Sequence, residues 1–507
     1  MATPLKNRAT LLRISALLSL FTLVAYHLPF FRFVVEHNEG GFNAVMITGG
    51  LTVLMLALNF MVYYLLLYLL RFVGRCILAL SFVANALTLY FINTYQVLIT
   101  DKMMGNVFNT QYSEASGFFS WVAVGYLLGL GVVPALYLLL RRLDYGSCKQ
   151  FFVRTGSALL LSLVVALVNM PNWTWIDRNA PTIGSLLMPW SYTVNSIRYY
   201  QAEQRRNQKE ILLPEAKITS TSKDLCIVVI GESARRENFS LYGYHKPTNP
   251  RLEQAGVTPL LAEASATYTT AGVKAILSHA PSDKLYEILP NYLFRHGVDV
   301  RWRTTNWGEP PVHIDHYDKA RDLKARYPEA DERYDAILLA GLREEILASE
   351  ADKMVLILHT STSHGPTYYK KYPAEFERFT PVCTTVEMGQ ANREELLNAY
   401  DNTILYTDHL LGEVIALLRE IPTRRSCLLF LSDHGESLGE GNLYMHGVPM
   451  MVAPKEQIEI PFLVWTSDEV LSVDASQQVG HYHIFHSVLS FLGIESEVYN
   501  LEKDIFR

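Results

Sequence analysis

The sequence predicts a chain of two unlike halves: an α-helical membrane domain of five transmembrane helices, then an α/β domain built on a mostly parallel sheet. Three observations carry this expectation. Long apolar runs crowd the first 170 of the 507 residues. Beyond Ser222, short β-rich runs alternate with helical stretches. The overall balance, 19% charged and 50% hydrophobic, is therefore an average over two compositions, in a chain long enough for more than one core.

Apolar stretches near the roughly 20 residues that a helix needs to cross a bilayer run from Leu11 to Val34, Ala44 to Leu70, Cys76 to Ile92, Phe118 to Leu140 and Gly156 to Val168. The first lacks a small-residue cleavage site and is followed by four more, so it reads as a retained helix and not as a signal peptide. Positive charge fixes the orientation. Lys6, Arg8 and Arg13 precede the first run, Arg71 and Arg75 separate the second and third, and Arg141, Arg142, Lys149 and Arg154 separate the fourth and fifth. The N-terminus is thus expected inside, and an odd number of spans puts everything after the fifth outside, which in a bacterium is the periplasm or outer surface.

In the loop after the third run, "NVFNTQYSE", the polar residues Asn106, Thr110 and Glu114 recur every fourth residue, so a helix around 100–117 would present them on one face. Residues 172–222 begin with tryptophans and tyrosines mixed with basic residues, the composition of a bridge lying at the water–lipid boundary. The catalytic candidate is then residues 223–507. A net charge of −6 and the absence of a basic stripe interleaved with aromatics argue against a nucleic-acid partner. Five cysteines without a CxxC pair argue against a zinc knuckle or a redox motif.

The β-rich runs of the second half are "LCIVVIGE", "VDVRWRTTN", "MVLILHTSTSHG", "CLLFLSDHG" and "PFLVWTS". Strands alternating with helices imply a doubly wound sheet, in which ligands bind beyond the carboxyl ends of the strands. Glu232, Asn306, His364, Asp433 and His434 end these runs, so that one rule brings all of them to one edge. Adjacent residues in a strand face opposite ways, so Asp433 and His434 approach one ion only if the strand has ended, and Gly435 would permit the turn. Two carboxylates and an imidazole suit zinc or manganese and are nitrogen-rich for calcium. A surface turn is the alternative reading of Asp-His-Gly. Thr267, Thr269 and Thr270 precede a helical run, where a threonine serves as a helix cap or, at the positive end of the dipole, as a nucleophile. This segment alone leaves both open.

Taken together, "GESARRENFSLYGY", Thr270 followed by alanine, "HTSTSHGPTYYKKYP", "NAYDNTILYTDHLL" and "SDHGESLGEGNLYMHGVP" resemble the phosphoethanolamine transferases of Gram-negative envelopes. That family lies in the alkaline phosphatase and sulfatase superfamily and includes the colistin-resistance enzymes. The resemblance covers the whole chain and implies a multi-pass inner-membrane protein with a periplasmic, sulfatase-like catalytic domain. It further implies a catalytic zinc held by Glu232, Thr270, Asp433 and His434, with Thr270 as nucleophile. His364 and His446 would handle the phosphoethanolamine group or a second zinc, Asn306 would line the pocket, and Asn106, Thr110 and Glu114 would receive the donor. The donor so implied is phosphatidylethanolamine, and the acceptor is lipopolysaccharide or lipooligosaccharide, at lipid A or a core sugar.

The chain also departs from the family pattern. "GVKAILS" stands where Ser-Val-Pro-Cys usually follows the nucleophile, Lys274 and Glu309 add charge near the site, and Cys383 lacks its usual cysteine partner. These changes bear on the acceptor and point toward a core sugar such as heptose. A phosphoglycerol transferase of the same superfamily is the alternative enzyme, and an inactive membrane scaffold the alternative non-enzyme. A sulfatase is disfavoured because no CxPxR-type motif is present, and a transporter because the apolar runs hold few ionisable residues.

Overall fold

The computed structural model describes residues 9–38, 41–110, 115, 117–206, 210–386 and 388–506. Contacts within the chain divide it into two units, Met1–Gln201 and Ala202–Arg507.

In the first unit four helices are long and apolar enough to cross a membrane: Phe42–Leu70, Phe72–Tyr95, Trp121–Leu140 and Cys148–Val168. The run expected as one first span is instead a pair, Leu11–Tyr26 and Leu28–Glu36, bent by 61°. Pro29, at the start of the second helix, has no N–H to continue the hydrogen-bond ladder through the break. Helices also extend past the third and fifth predicted runs, because basic residues such as Arg75, Lys149 and Arg154 continue a helix when their long stems let the charge reach water. Leu80, Leu140 and Leu160 point outward. Polar groups meet between helices, as in the 3.0 Å contact of the Thr22 and Tyr63 hydroxyls, the arrangement expected where lipid surrounds the bundle.

The aromatic bridge forms two helices, Trp173–Leu186 and Trp190–Arg206. The second is bound into the membrane unit: the Trp190 indole donates to Asn59 at 2.9 Å, the Tyr192 hydroxyl to Asn85 at 3.0 Å, and the Asn195 amide to the Ile99 carbonyl at 2.6 Å. These bonds place the unit boundary near residue 201, inside the stretch 172–222 expected to be a linker. The far end of that stretch joins the second unit, where Ala216–Ile218 pairs with Ile494–Ser496.

The second unit is built on an eight-stranded sheet. In chain order its strands are β1 (Asp224–Gly231), β2 (Thr258–Glu263), β3 (Asp299–Thr304), β4 (His316–Lys319), β5 (Lys353–His359), β6 (Arg425–Ser432), β7 (Glu459–Thr466) and β8 (Gln478–Gly480). Across the sheet the order is β8-β2-β7-β6-β1-β5-β3-β4. The five strands from β6 to β4 are mutually parallel, and β7 runs antiparallel to both of its neighbours. Every residue of β1 and β5 is buried, which is why both read as unbroken apolar runs.

Register is what positions the site. Gly231 pairs with Ser432, Ile230 with His359, and Thr304 with His359. The carboxyl ends of β6, β1, β5 and β3 therefore stand in one row, and the segments that leave them start from the same edge. At the opposite edge Asp224 is buried between Lys353 and Arg425, at 2.5 and 2.9 Å, so the charges that open these strands are paired away from the site.

Candidate active site

Each polar residue of the cluster comes after the end of a strand. Glu232 is the residue after β1, and Asp433 and His434 come directly after β6. The predicted end of the strand before Asp433 is therefore observed, but Gly435 has a different reason from the one expected. Its φ lies outside the left-handed region; instead a Cβ there would stand 2.1 Å from the Glu456 carbonyl oxygen. Close backbone approach, not unusual torsion, requires the glycine.

Glu232, Asp433 and His434 are fully or almost fully buried, and one ligand atom from each lies within 4.8 Å of the others. His434 Nε2 is 3.3 Å from Asp433 Oδ2 and 3.5 Å from Glu232 Oε1. Its other nitrogen, Nδ1, is 2.9 Å from the Gly435 carbonyl, which only an N–H can satisfy. The proton is thereby placed on Nδ1, and Nε2 keeps a lone pair toward the carboxylates. Asp433 Oδ1 accepts from the backbone N–H groups of Ser233 and His434 at 3.0 and 2.8 Å, whereas Oδ2 has no hydrogen-bond partner among the described residues. A buried carboxylate oxygen left bare beside an imidazole lone pair fits a cation.

The threonine hydroxyl that meets the cluster is one residue away from the one expected to serve as nucleophile. Thr269, and not Thr270, turns its hydroxyl to the cluster: Oγ1 lies 3.4 Å from each Glu232 oxygen and 3.4 Å from His434 Nε2. The helix Thr269–Leu277 begins at this residue, and Tyr268 occupies the cap position without a side-chain capping bond. Both threonine methyls lie near Gly308, that of Thr269 at 3.2 Å and that of Thr270 at 3.5 Å from where a Cβ there would stand. The helix phase is set by Gly272, where a Cβ would lie 2.3 Å from the Asp433 carbonyl oxygen. Thr267 is used structurally, donating to the Val448 carbonyl at 2.7 Å.

Around the cluster, Asn306 donates from its amide to Glu232 Oε2 at 2.7 Å and to the Thr360 carbonyl at 2.9 Å, fixing the carboxylate. His446 Nδ1 is 2.8 Å from Glu436 Oε2, whose other oxygen accepts from the Tyr368 hydroxyl at 2.7 Å. The His446 ring lies 4.2 Å from that of His434 and 5.7 Å from that of His364, centre to centre. His434, Glu436 and His446 form a second set of closely spaced ligand atoms. Glu440 is tied to Arg235 at 2.9 Å and supports the loop from outside. Of the added charges, Glu309 lies 3.7 Å from His359, while Lys274 reaches the Ser282 carbonyl at 3.2 Å. All five cysteines are free.

Electrostatics separate the two carboxylates. Burial opposes charge on Glu232, but His434, His364, His446 and the Asn306 amide outweigh it and hold the group well below the ordinary range. Burial and the Glu232 charge push Asp433 up. Burial, with His446 beside it, lowers His434 to about 4. His446 goes the other way, to about 9, because Glu436, Glu232 and Asp433 overcome its burial.

Sequence reasoning missed two contributors. Ser233, at φ +53, occupies the left-handed region without being glycine, and its hydroxyl donates to Glu232 Oε1 at 2.8 Å. His481 is fully buried behind the cluster, donating from Nε2 to the Ser432 carbonyl at 3.1 Å and accepting on Nδ1 from the Ser265 N–H at 3.2 Å. It joins the segment carrying the ligands to the segment carrying Thr269, itself lying 216 residues beyond Ser265, a span that no local pattern could bridge.

Three other expected site residues belong to the first unit. Asn106 lies in the helix Asp101–Asn109, and Thr110 ends it, bonding back to the Asn106 carbonyl at 2.6 Å. Glu114 lies outside the described residues.

A buried acid–imidazole cluster beyond the parallel strands, with a threonine hydroxyl at its centre, defines a sulfatase-like hydrolase or transferase. Residues 224–494 match the Sulfatase family, and residues 54–204 match the family described as Phosphoethanolamine transferase EptA/EptB. Phosphoethanolamine transferase EptA of Helicobacter pylori is 36% identical over 98% of this chain and 96% of its own length. The integral membrane lipooligosaccharide phosphoethanolamine transferase A of Neisseria meningitidis superposes with a TM-score of 0.88 at 27% identity, over 97% of this chain and 98% of that one. The C-terminal periplasmic domain of phosphoethanolamine transferase EptC from Campylobacter jejuni matches at 32% identity with a TM-score of 0.53, covering 59% of this chain and 97% of that one. The chain belongs to the phosphoethanolamine transferase family.

Proposed function

We propose that this protein transfers phosphoethanolamine from phosphatidylethanolamine to lipopolysaccharide or lipooligosaccharide by way of a covalent adduct on Thr269. The observation that carries the reading is the Thr269 hydroxyl, equidistant at 3.4 Å from the Glu232 oxygens and His434 Nε2. Glu232, Asp433, His434 and that hydroxyl would hold a zinc ion, replacing the expected Thr270. When bound, zinc supplies Lewis acidity that lowers the pKa of a hydroxyl and offsets charge developing at phosphorus.

The rest of the chemistry belongs to the side chains. Thr269 Oγ gives up its proton to solvent and attacks the donor phosphorus; the Oγ–P bond forms, the P–O bond to glycerol breaks, and diacylglycerol leaves with a proton from a neighbouring acid. His446, kept protonated by Glu436, faces the cluster as the group able to give that proton. An oxygen of the acceptor then attacks the same phosphorus, breaking the Oγ–P bond and returning the proton to Thr269. His364, beside His446, lies where it can take the acceptor's proton. The alternating positive charge of the connecting loops supports an inner-membrane protein of five spans, counting the bent pair as one, with the N-terminus inside and the catalytic unit in the periplasm.

The test is mass spectrometry of lipopolysaccharide from cells with and without the gene, together with Thr269→Ala and Thr270→Ala. Gain of one phosphoethanolamine that survives Thr270→Ala and vanishes in Thr269→Ala is expected. A phosphoglycerol adduct, or activity retained in Thr269→Ala, would overturn the reading.

A further inference from the structure

Between His446 and Lys455 the chain reads "GVPMMVAP", eight residues without a charged or hydrogen-bonding side chain. At its tip Met450, Met451 and Val452 are consecutive and exposed, Met451 at 98% and Val452 at 71%. Successive exposed apolar residues are a fault in a folded surface unless something covers them. The base of the loop is firmly held. Gly447 N–H donates to the Thr267 carbonyl at 2.7 Å, Val448 N–H to Gln457 Oε1 at 3.2 Å, and the Gln457 amide to the Met445 carbonyl at 3.0 Å. The tip is closed by Val452 N–H on the Pro449 carbonyl at 2.9 Å. An apolar prong thus rises one residue after His446 and is bonded to a residue two before Thr269.

We infer that this prong inserts into the acyl layer of the membrane bilayer, docking the catalytic unit where a lipid donor presents its head group. The inference rests on the proposed lipid substrate. The same chain carries apolar helices that hold it at a bilayer, and a donor whose head group must reach Thr269 keeps its acyl chains in that bilayer. The tip lacks the aromatic and arginine anchors that carry most of the binding energy of a protein interface. Methionine and valine suit a fluid acyl layer, and exposed Lys455 comes next, at the level where a cation meets head groups.

The full chain, in nanodiscs of phosphatidylethanolamine and phosphatidylglycerol, tests this with an environment-sensitive fluorophore on Met451→Cys, in a background where Cys76 and Cys148 are serine. Emission shifted to the blue and quenched at least about twofold by lipids bearing acyl-chain nitroxides is expected. Water-like emission without quenching overturns the inference, as does shielding that appears only with rising protein concentration, which marks a second copy. Met451→Asp should raise KM for bilayer phosphatidylethanolamine about tenfold while leaving turnover of a soluble phosphoethanolamine ester unchanged. An equal loss on both substrates, or no loss on either, counts against docking. If the unaltered enzyme transfers nothing, the catalytic reading fails, and the quenching result still decides the loop.

Discussion

Gly272→Ala probes how Thr269, the proposed nucleophile, is held. The helix Thr269–Leu277 crosses the ligand segment so closely that a Cβ at residue 272 would sit 2.3 Å from the Asp433 carbonyl oxygen and 2.9 Å from its carbon. Both neighbours are backbone, so nothing flexible can yield, and helix and segment must part by roughly 1 Å. Two effects compete in stability. Alanine is the better helix former by about 0.8–1 kcal/mol, but overpacking typically costs about 1–3 kcal/mol, so a net loss of up to about 2 kcal/mol is expected. The effect on rate is larger, because Thr269 lies on the same rigid helix three residues away. A displacement of about 1 Å at a reacting atom costs on the order of 100-fold in kcat. The assay is transfer from a fluorescent phosphatidylethanolamine to purified lipopolysaccharide, with metal content and thermal unfolding measured on the same preparation. Activity within threefold of the unaltered protein, with unchanged unfolding, would refute the idea that this contact sets the nucleophile.

Separate contacts give the other predictions. Thr269→Ala should lower transfer by about 10,000-fold or more and abolish the phosphoethanolamine adduct on the peptide containing it, whereas Thr270→Ala should stay within about tenfold. Asn306→Leu removes the amide that holds Glu232 Oε2, so zinc affinity measured by chelator competition should fall about 10–100-fold. Chelation itself should lower the unfolding temperature, since a cation that binds only the folded state stabilises it; restoring zinc should reverse the change, and insensitivity to chelation would count against a metal. His481 gives a pH prediction. Burial lowers its pKa to about 3, so folding favours the neutral ring: its contribution is fully present above the ordinary value near 6.5 and is lost as pH falls toward 3. Between pH 6.5 and 5 that loss is about 1.6 kcal/mol. Denaturant unfolding of the native protein should show this slope relative to His481→Gln, and parallel curves would contradict it.

Much of the site was legible because parallel strands buried on both faces read as unbroken apolar runs, and the residue after such a run has to stand at the sheet edge. That logic brought Glu232, Asn306, Asp433 and His434 to one edge from sequence alone, and the pairing of Gly231 with Ser432 and of Thr304 with His359 sets their strand ends in one row. It gave no purchase on β2, an edge-side strand whose mixed burial carries no comparable apolar run. It also could not find His481, whose role depends on two backbone groups distant in sequence. The bend near His27 had a local signal in Pro29, but an apolar run long enough for one span concealed it.

The two threonines are the most instructive case, because Thr269 and Thr270 are chemically identical neighbours. On a helix, adjacent side chains differ by about 100° in direction, so a slip of one residue turns a hydroxyl away from the Glu232 carboxylate. The residue that comes after each threonine does not decide between them. What decides is the helix phase, fixed by the absence of a side chain at Gly272 where the helix meets Asp433. The proposed nucleophile is therefore specified by a glycine three residues downstream together with a carbonyl on another element, and a motif centred on the threonines contains only half of that information. Thr269→Ala gives the sharpest check: with Thr269 as the proposed nucleophile, the hydroxyl of Thr270 should not replace it, and no amount of added zinc should restore transfer.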